Sequence, residues 1–292
     1  MAKSFLHSSR LELWLGLGIV GFVILSGVLG PLLVTNGPLE IHGDAPLRAP
    51  GDGYLLGTDD LGRDLLSRVL SGLRVSLLVS AVSVSFAAVV GILIGVACGY
   101  YRGALDAVLM RVVDILFAFP VMLLALLMVA ILGSSTWTVI LAISLVYVPH
   151  FARIARASAM SQSEEPYVGM LRSTGARGSR IMVRHILPNI AAPLLVQLTF
   201  SFSWAILVEA SLSFLGLGLQ PPDPSLGSMI SDGQSMLRQA PWVALIPAAA
   251  LFITIGGLNV LGDGLRDALD PRKRSSKKKK TKKPTTTKEV SA

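Results

Sequence analysis

Long apolar stretches alternate with short polar or charged segments along this chain. Six of the stretches predict membrane-spanning helices: Leu13–Val34, Val75–Gly99, Ile115–Leu132, Trp137–Phe151, Ile190–Leu212 and Trp242–Val260. At ~1.5 Å per residue, about 20 residues cross the hydrocarbon. The third and fourth stretches are shorter, and their flanks, Asp106–Asp114 and Ala152–Met160, are expected to extend them as helix. Gly-Ser-Ser-Thr at 133–136 leaves room only for a tight turn between them. After the first span, Asn36-Gly37-Pro38 and the stretch from Pro46 to Gly53 read as turns. From Asp60 to Leu73, the residues Leu61, Leu65, Val69 and Leu73 repeat at helical spacing and predict an amphipathic helix at the membrane surface. Pro221, Pro222 and Pro224 mark a further loop before the last span. The pattern predicts an all-α, polytopic membrane protein with six transmembrane helices. Its units would be a helix and loop over 1–74, a five-helix core over 75–271 and a tail over 272–292.

Composition excludes the soluble alternative. The 292 residues are 52% hydrophobic and 15% charged, with a mean hydropathy of +0.64, whereas soluble domains carry ~25% charged residues. The lone cysteine, Cys98, lies inside an apolar run, so no intrachain disulfide exists and the thiol reads as a small hydrophobe. The first apolar run is long and continuous, which reads as an uncleaved span and not a signal peptide. The net charge of +8 is unevenly spread. With the N-terminus inside, 21 of the 26 Lys and Arg residues fall on the inner side and 5 on the outer. The positive-inside rule therefore predicts N-in and C-in. The tail Lys277-Lys278-Lys279-Lys280-Thr281-Lys282-Lys283 reads either as a contact for anionic membrane lipids or as a solvated disordered segment. No folded nucleic-acid-binding module accompanies it, so no nucleic-acid partner is expected.

The segment from Ser163 to Pro188 is the most informative on the basic side. Pro166 suits the first turn of a helix, and Glu164 and Glu165 stand where the helix dipole favours negative charge. Tyr167, Met170, Leu171 and Thr174 share a largely apolar face, and Gly175 follows where a left-handed cap is expected. A short helix outside the bilayer, offering an apolar stripe to a partner, accounts for this pattern.

The segment resembles the cytoplasmic coupling loop of permease subunits in binding-protein-dependent ABC importers. That loop carries a Glu-Ala-Ala triplet followed at fixed spacing by a glycine and an Ile-x-Leu-Pro ending. Gly175, Leu187 and Pro188 hold the spacing, His185 takes the Ile position, and Gly169, Met170 and Leu171 replace the triplet. Two further stretches are similar to the dipeptide/oligopeptide/nickel subfamily: Leu56-Gly57-Thr58-Asp59-Asp60-Leu61-Gly62-Arg63-Asp64 and the run from Gly262 to Pro271. Leu215-Gly216-Leu217-Gly218 with Pro221-Pro222 fits as well. The resemblance implies the type I importer permease fold and a bacterial inner-membrane location. It implies a homologous second permease, two ATPase subunits that hold ATP and Mg, and an external solute-binding protein. Coupling to the ATPase would involve Glu165, Tyr167, Gly169, Met170, Leu171, Gly175 and Pro188. Short peptides are the cargo it favours, with nickel chelates, haem and oligosaccharides as alternatives.

Few residues could carry chemistry. Glu209 is the one acidic residue well inside a span, where a charge costs about 2.5–3.5 kcal/mol. It reads either as a pathway residue, with Ser203 and Ser211, or as an interhelical hydrogen-bond partner of Ser203, Ser211 and Ser213. Arg111 and Asp114 are three apart on a helix and are expected to pair. Pro120, Pro149, Pro193 and Pro247 interrupt or bend spans, either for gating or as ordinary features of membrane helices. His150 has no Cys or Asp neighbour at metal-ligand spacing and reads as a packing residue. No Gly-Lys dipeptide occurs, hence no phosphate loop, and HExxH and GxSxG are also missing. The expectation is a permease with no catalytic residue, no metal and no cofactor of its own. An ion-driven secondary transporter would need more ionisable groups at mid-membrane. A membrane enzyme built on Glu209 would leave Ser163–Pro188 without a role.

Overall fold

The computed structural model describes residues 2–51 and 53–269. The tail 272–292 and the end of the Gly262–Pro271 run lie outside the described residues. The helices are α1 (Ala2–Leu33), α2 (Leu65–Tyr101), α3 (Gly103–Ala118), α4 (Val121–Leu132), α5 (Thr136–Ser163), α6 (Pro166–Ser173), α7 (Gly178–Ile181), α8 (Leu187–Asn189), α9 (Ala191–Phe214), α10 (Leu226–Gln234) and α11 (Trp242–Leu269). One π-helical turn, Met182–Ile186, joins α7 to α8. Among the described residues, five helices are long and apolar enough to cross a membrane, and the bent pair α3–α4 is the sixth candidate span.

That pair corrects the sequence reading of the third span. Ile115–Leu132 is not one helix: α3 and α4 meet at 92°. Pro120 has no N–H to donate and its ring disfavours helical backbone in the preceding residue. Phe119 is accordingly extended, with φ −80° and ψ 135°. Asp106–Asp114 therefore belongs to a helix running in another direction and does not lengthen α4. The flank Ala152–Met160 does continue α5. Pro149 and Pro247 lie inside helices that run on through them.

The helix expected over Asp60–Leu73 is also different. Asp64 caps α2, its carboxylate accepting the N–H groups of Leu66 and Ser67. Leu65, Val69 and Leu73 are then buried on the first turns of a spanning helix, while Leu61 is exposed in the preceding turn. Their partners are Val23, Leu226 and Met229, not lipid headgroups.

Close backbone approach holds the spans together, as expected where lipid competes for every apolar side chain. Gly91, Gly95 and Gly99 of α2 form a seam against α5, which runs parallel to it. A Cβ on Gly91 would stand 2.6 Å from the Val148 carbonyl oxygen, and one on Gly99 would stand 2.7 Å from that of Arg156. Cys98 is buried beside this seam. Helices α1 and α11 approach as closely in antiparallel fashion, with Gly16 against Leu261 and Gly264 against Leu13. The mid-bundle core joins α2, α4, α5 and α9 through Val84, Leu124, Ile143, Phe151, Val208 and Leu212.

At the end opposite α6, the motif Leu56–Asp64 is a pinned loop. Asp59 is buried and accepts the N–H groups of Leu61 (3.0 Å) and Arg63 (2.9 Å) and the Arg63 side chain (2.6 Å). Buried Arg68 is its second cation, at 3.4 Å. The Thr58 hydroxyl donates to the Ala45 carbonyl, and Trp242 Nε1 donates to the Thr58 carbonyl at 3.3 Å, tying the loop to α11.

Candidate functional site

The sequence points to α6, and the structure shows how it is held. Helix α5 ends at Ser163, and after two intervening residues Pro166 opens α6. Val168 is fully buried with Ile181, Ile186, Ala155, Ala159 and Ile190. Burying a side chain of that size stabilises the docked helix by about 1.5–3 kcal/mol. The Tyr167 hydroxyl donates to Gln162 Oε1 (3.0 Å) and accepts from Asn189 Nδ2 (3.1 Å). It bridges the end of α5 to the start of the α9 region.

The far end of α6 is closed by a Schellman motif. Gly175 N–H donates to the Arg172 carbonyl and Ala176 N–H donates to the Leu171 carbonyl, both at 3.0 Å. Gly175 has φ +78°, the left-handed backbone anticipated for a glycine after this helix. Leu171 and Ala176 pack on the same core, the hydrophobic contact that accompanies the motif.

These contacts revise the face expected to be free. Tyr167 and Leu171 pack on the chain's own core, and the exposed stripe is Pro166, Gly169, Met170 and Ser173. Met170 is 70% exposed and stands out from it. Glu165 is exposed at the N-cap position without a side-chain capping bond.

Pro188 has a role that periodicity did not reveal. As a helix residue it cannot donate to the Arg184 carbonyl, and its ring crowds that group. The chain relieves this by widening to the π-turn Met182–Ile186, in which Leu187 N–H reaches the Met182 carbonyl. The detectable signal was a proline closing a long basic helical stretch.

Around α6 the other helix ends interlock. Arg172 lies 4.6 Å above the Tyr100 ring, and Arg102 donates to Glu164 at 2.9 Å. Asp106 of α3 takes a two-pronged bond from Arg156 (2.5 and 2.6 Å). Asp114 pairs with Arg153 at 2.7 Å, not with Arg111, because the 92° elbow turns α3 across α5. Arg153 also lies 3.8 Å over Phe117.

Along the bundle, α4, α5 and α9 line a half-open cavity of about 570 Å³. Met122, Tyr147, His150, Gln197, Trp204 and Ser211 are on its wall. His150 Nδ1 is 3.3 Å from the Val146 carbonyl, and its ring packs against Phe117 and Tyr147.

Glu209 is not among the lining residues. It is fully buried, accepting from Ser76 of α2 (2.5 Å) and from Ser213 (2.9 Å). Ser203 donates to the Ile255 carbonyl at 3.4 Å and Ser211 to Leu207, so neither bonds Glu209. The pathway group read from the sequence is thus divided: Ser211 faces the cavity, and Glu209 and Ser203 join helices behind it. Gln197 and Trp204 went unnoticed, although their spacing from Ser211 marks one helix face. Among the described residues, no cluster of His, Cys, Asp or Glu could hold a metal ion.

Comparison with known proteins adds to this geometry. Residues 91–275 match the family model described as "Binding-protein-dependent transport system inner membrane component". The dipeptide transport system permease protein DppC of Alkalihalophilus pseudofirmus is 41% identical over 260 residues, 89% of this chain and 86% of that protein. The di/tripeptide transport system permease protein DppC of Pseudomonas aeruginosa is 40% identical over 267 residues, 89% of this chain and 88% of that one. Among solved structures, an inward-facing MetNI methionine ABC transporter superposes with a TM-score of 0.57 at 20% identity. The match covers 70% of this chain and 96% of that one, and it concerns the fold.

Proposed function

We propose a role from one premise: the chain belongs to the binding-protein-dependent transport system inner membrane components, and is a multi-pass transport permease of the inner membrane. On our reading it forms half of the translocation pathway of an ATP-driven importer of short peptides. A second permease supplies the other half, two cytoplasmic ATPase subunits bind ATP and Mg, and an external solute-binding protein delivers the cargo. The names of the relatives support peptides as that cargo. The count of 21 basic residues against 5 supports an inner location for α6.

One observation carries this reading: a helix outside the bundle, anchored from behind by Val168 and Tyr167, with Met170 free in front. Met170 does nothing for the chain's own core, so a partner's groove explains its exposure. ATP binding would draw the ATPases together and α6 with them. Helices α5 and α9 would follow, because Tyr167 ties α6 to α5 and to Asn189 of α8, which leads directly into α9, and the cavity would open to the other side. This is a rigid-body switch between two states.

The test is Met170→Asp in the complete transporter, reconstituted in proteoliposomes. The chain should insert normally. It should then either lose the ATPase subunits on purification or keep them with no stimulation of hydrolysis by substrate. Full stimulation with intact assembly would refute α6 as the coupling element.

A further inference from the structure

Gln197, Ser201, Trp204, Leu207 and Ser211 follow one another on α9 at steps of three or four residues, so they share a helix face. All five line the 570 Å³ cavity, opposite Tyr147 and His150. A volume of that size is typical of small-molecule sites, ~300–1,000 Å³. This face is ill suited to lipid. Trp204 is 57% exposed near the middle of a spanning helix, where an indole N–H facing hydrocarbon would find no acceptor. Gln197 Nε2 donates to Ser201 Oγ at 3.0 Å. That bond uses one N–H of the Gln197 amide and leaves its carbonyl oxygen and second N–H side by side, while Ser201 is buried behind it. A peptide unit presents the complementary pair. None of the lining residues is Asp, Glu, Lys or Arg.

We propose that this α9 face is a charge-neutral contact track for the cargo. Gln197, steadied by buried Ser201, hydrogen-bonds the peptide backbone, Trp204 packs on its side chains, and acidic, basic and neutral short peptides pass with little distinction. The proposal rests on the reading of the chain as a peptide permease. Neutral dipoles can turn towards either sign of charge, whereas a fixed charge a few ångströms from the cargo favours one sign over the other by on the order of tenfold.

The test uses the complete transporter in proteoliposomes, with uptake of Lys-Ala and Glu-Ala measured separately. Each variant's ratio of the two is divided by that of the unmodified protein, which cancels the preference of the solute-binding protein. Gln197→Glu should raise the ratio about tenfold and Gln197→Arg should lower it by a similar factor. If either variant fails to assemble, Ser211→Asp and Ser211→Lys place the same charges on the same face. Opposite shifts from opposite charges support the track, since mere damage to the fold would not change sign. Unchanged ratios, or shifts in one direction for both charges, overturn it while leaving the peptide-importer reading intact. An unmodified assembly that takes up neither peptide overturns that reading, and the track with it.

Discussion

The cap of α6 offers a sharp test, because its chemistry can be separated from its sterics. Gly175 has φ +78°, and a Cβ placed there meets nothing within 4 Å. Replacement therefore costs only backbone energy. For an L-residue the left-handed conformation costs roughly 1–2 kcal/mol, less for asparagine and more for a β-branched residue. At ~1.4 kcal/mol per factor of ten, Gly175→Ala reduces the closed cap about five- to thirtyfold relative to its open form. The two hydrogen bonds from Gly175 and Ala176 are lost together when it opens. The expected order of damage is Gly175→Asn, then Gly175→Ala, then Gly175→Val. Hydrogen exchange of the α6 amides reads the cap directly, and substrate-stimulated ATP hydrolysis reads its consequence. Exchange should accelerate in that order while the spans remain protected. An asparagine variant as damaging as valine, or a valine variant with unchanged exchange, would refute the backbone argument.

Gly95→Leu should prevent stable assembly of the bundle, because its side chain would meet the backbone of α5 at Ala152 and Arg156; a normal melting temperature in detergent would contradict the seam. Asp59→Ala removes the carboxylate from buried Arg68 and should cost about 3–5 kcal/mol, measured as a lowered melting temperature with faster tryptic cleavage of the 35–64 loop. Single cysteines at Gly51 and Ser228 should react with an impermeant thiol reagent from outside and one at Ser173 should not; outside labelling at Ser173 would reverse the orientation.

The spans and the place of α6 were legible because both are local: runs of apolar residues, a proline at a helix start, a glycine at its end. What stayed hidden was decided by tertiary neighbours. Tyr167, Met170 and Leu171 share an apolar character, and composition alone cannot say which two turn inward. The core that receives Val168, with Ile181 and Ile186 from beyond the Gly175 turn, decides that. Arg111 and Asp114 satisfied the local pairing rule, yet Arg153, far away in sequence, took the aspartate. Pro120 breaks its span while Pro149 does not, although both were noted as interruptions. Helix α5 is packed backbone to backbone on the glycine seam from Val148 onward and stays helical through Pro149, whereas α3 and α4 meet at 92°. Ser76, the partner of Glu209, lies more than a hundred residues away and no pattern points to it.

The glycine seam also restricts how the molecule can change shape. Two helices separated by side chains can slide, because side chains change rotamer as ridges pass grooves. Here backbone meets backbone: a Cβ at Gly91, Gly95 or Gly99 would stand within 3 Å of α5, so the seam fits one register. Helices α2 and α5 therefore behave as one strut that tilts but does not shear. Motion is left to the joints: Arg102-Gly103, where both residues have positive φ, the Phe119-Pro120 elbow, and the turn at Glu164-Glu165. Stiffening any of these three would arrest a stroke that no substitution within the strut could adjust by degrees.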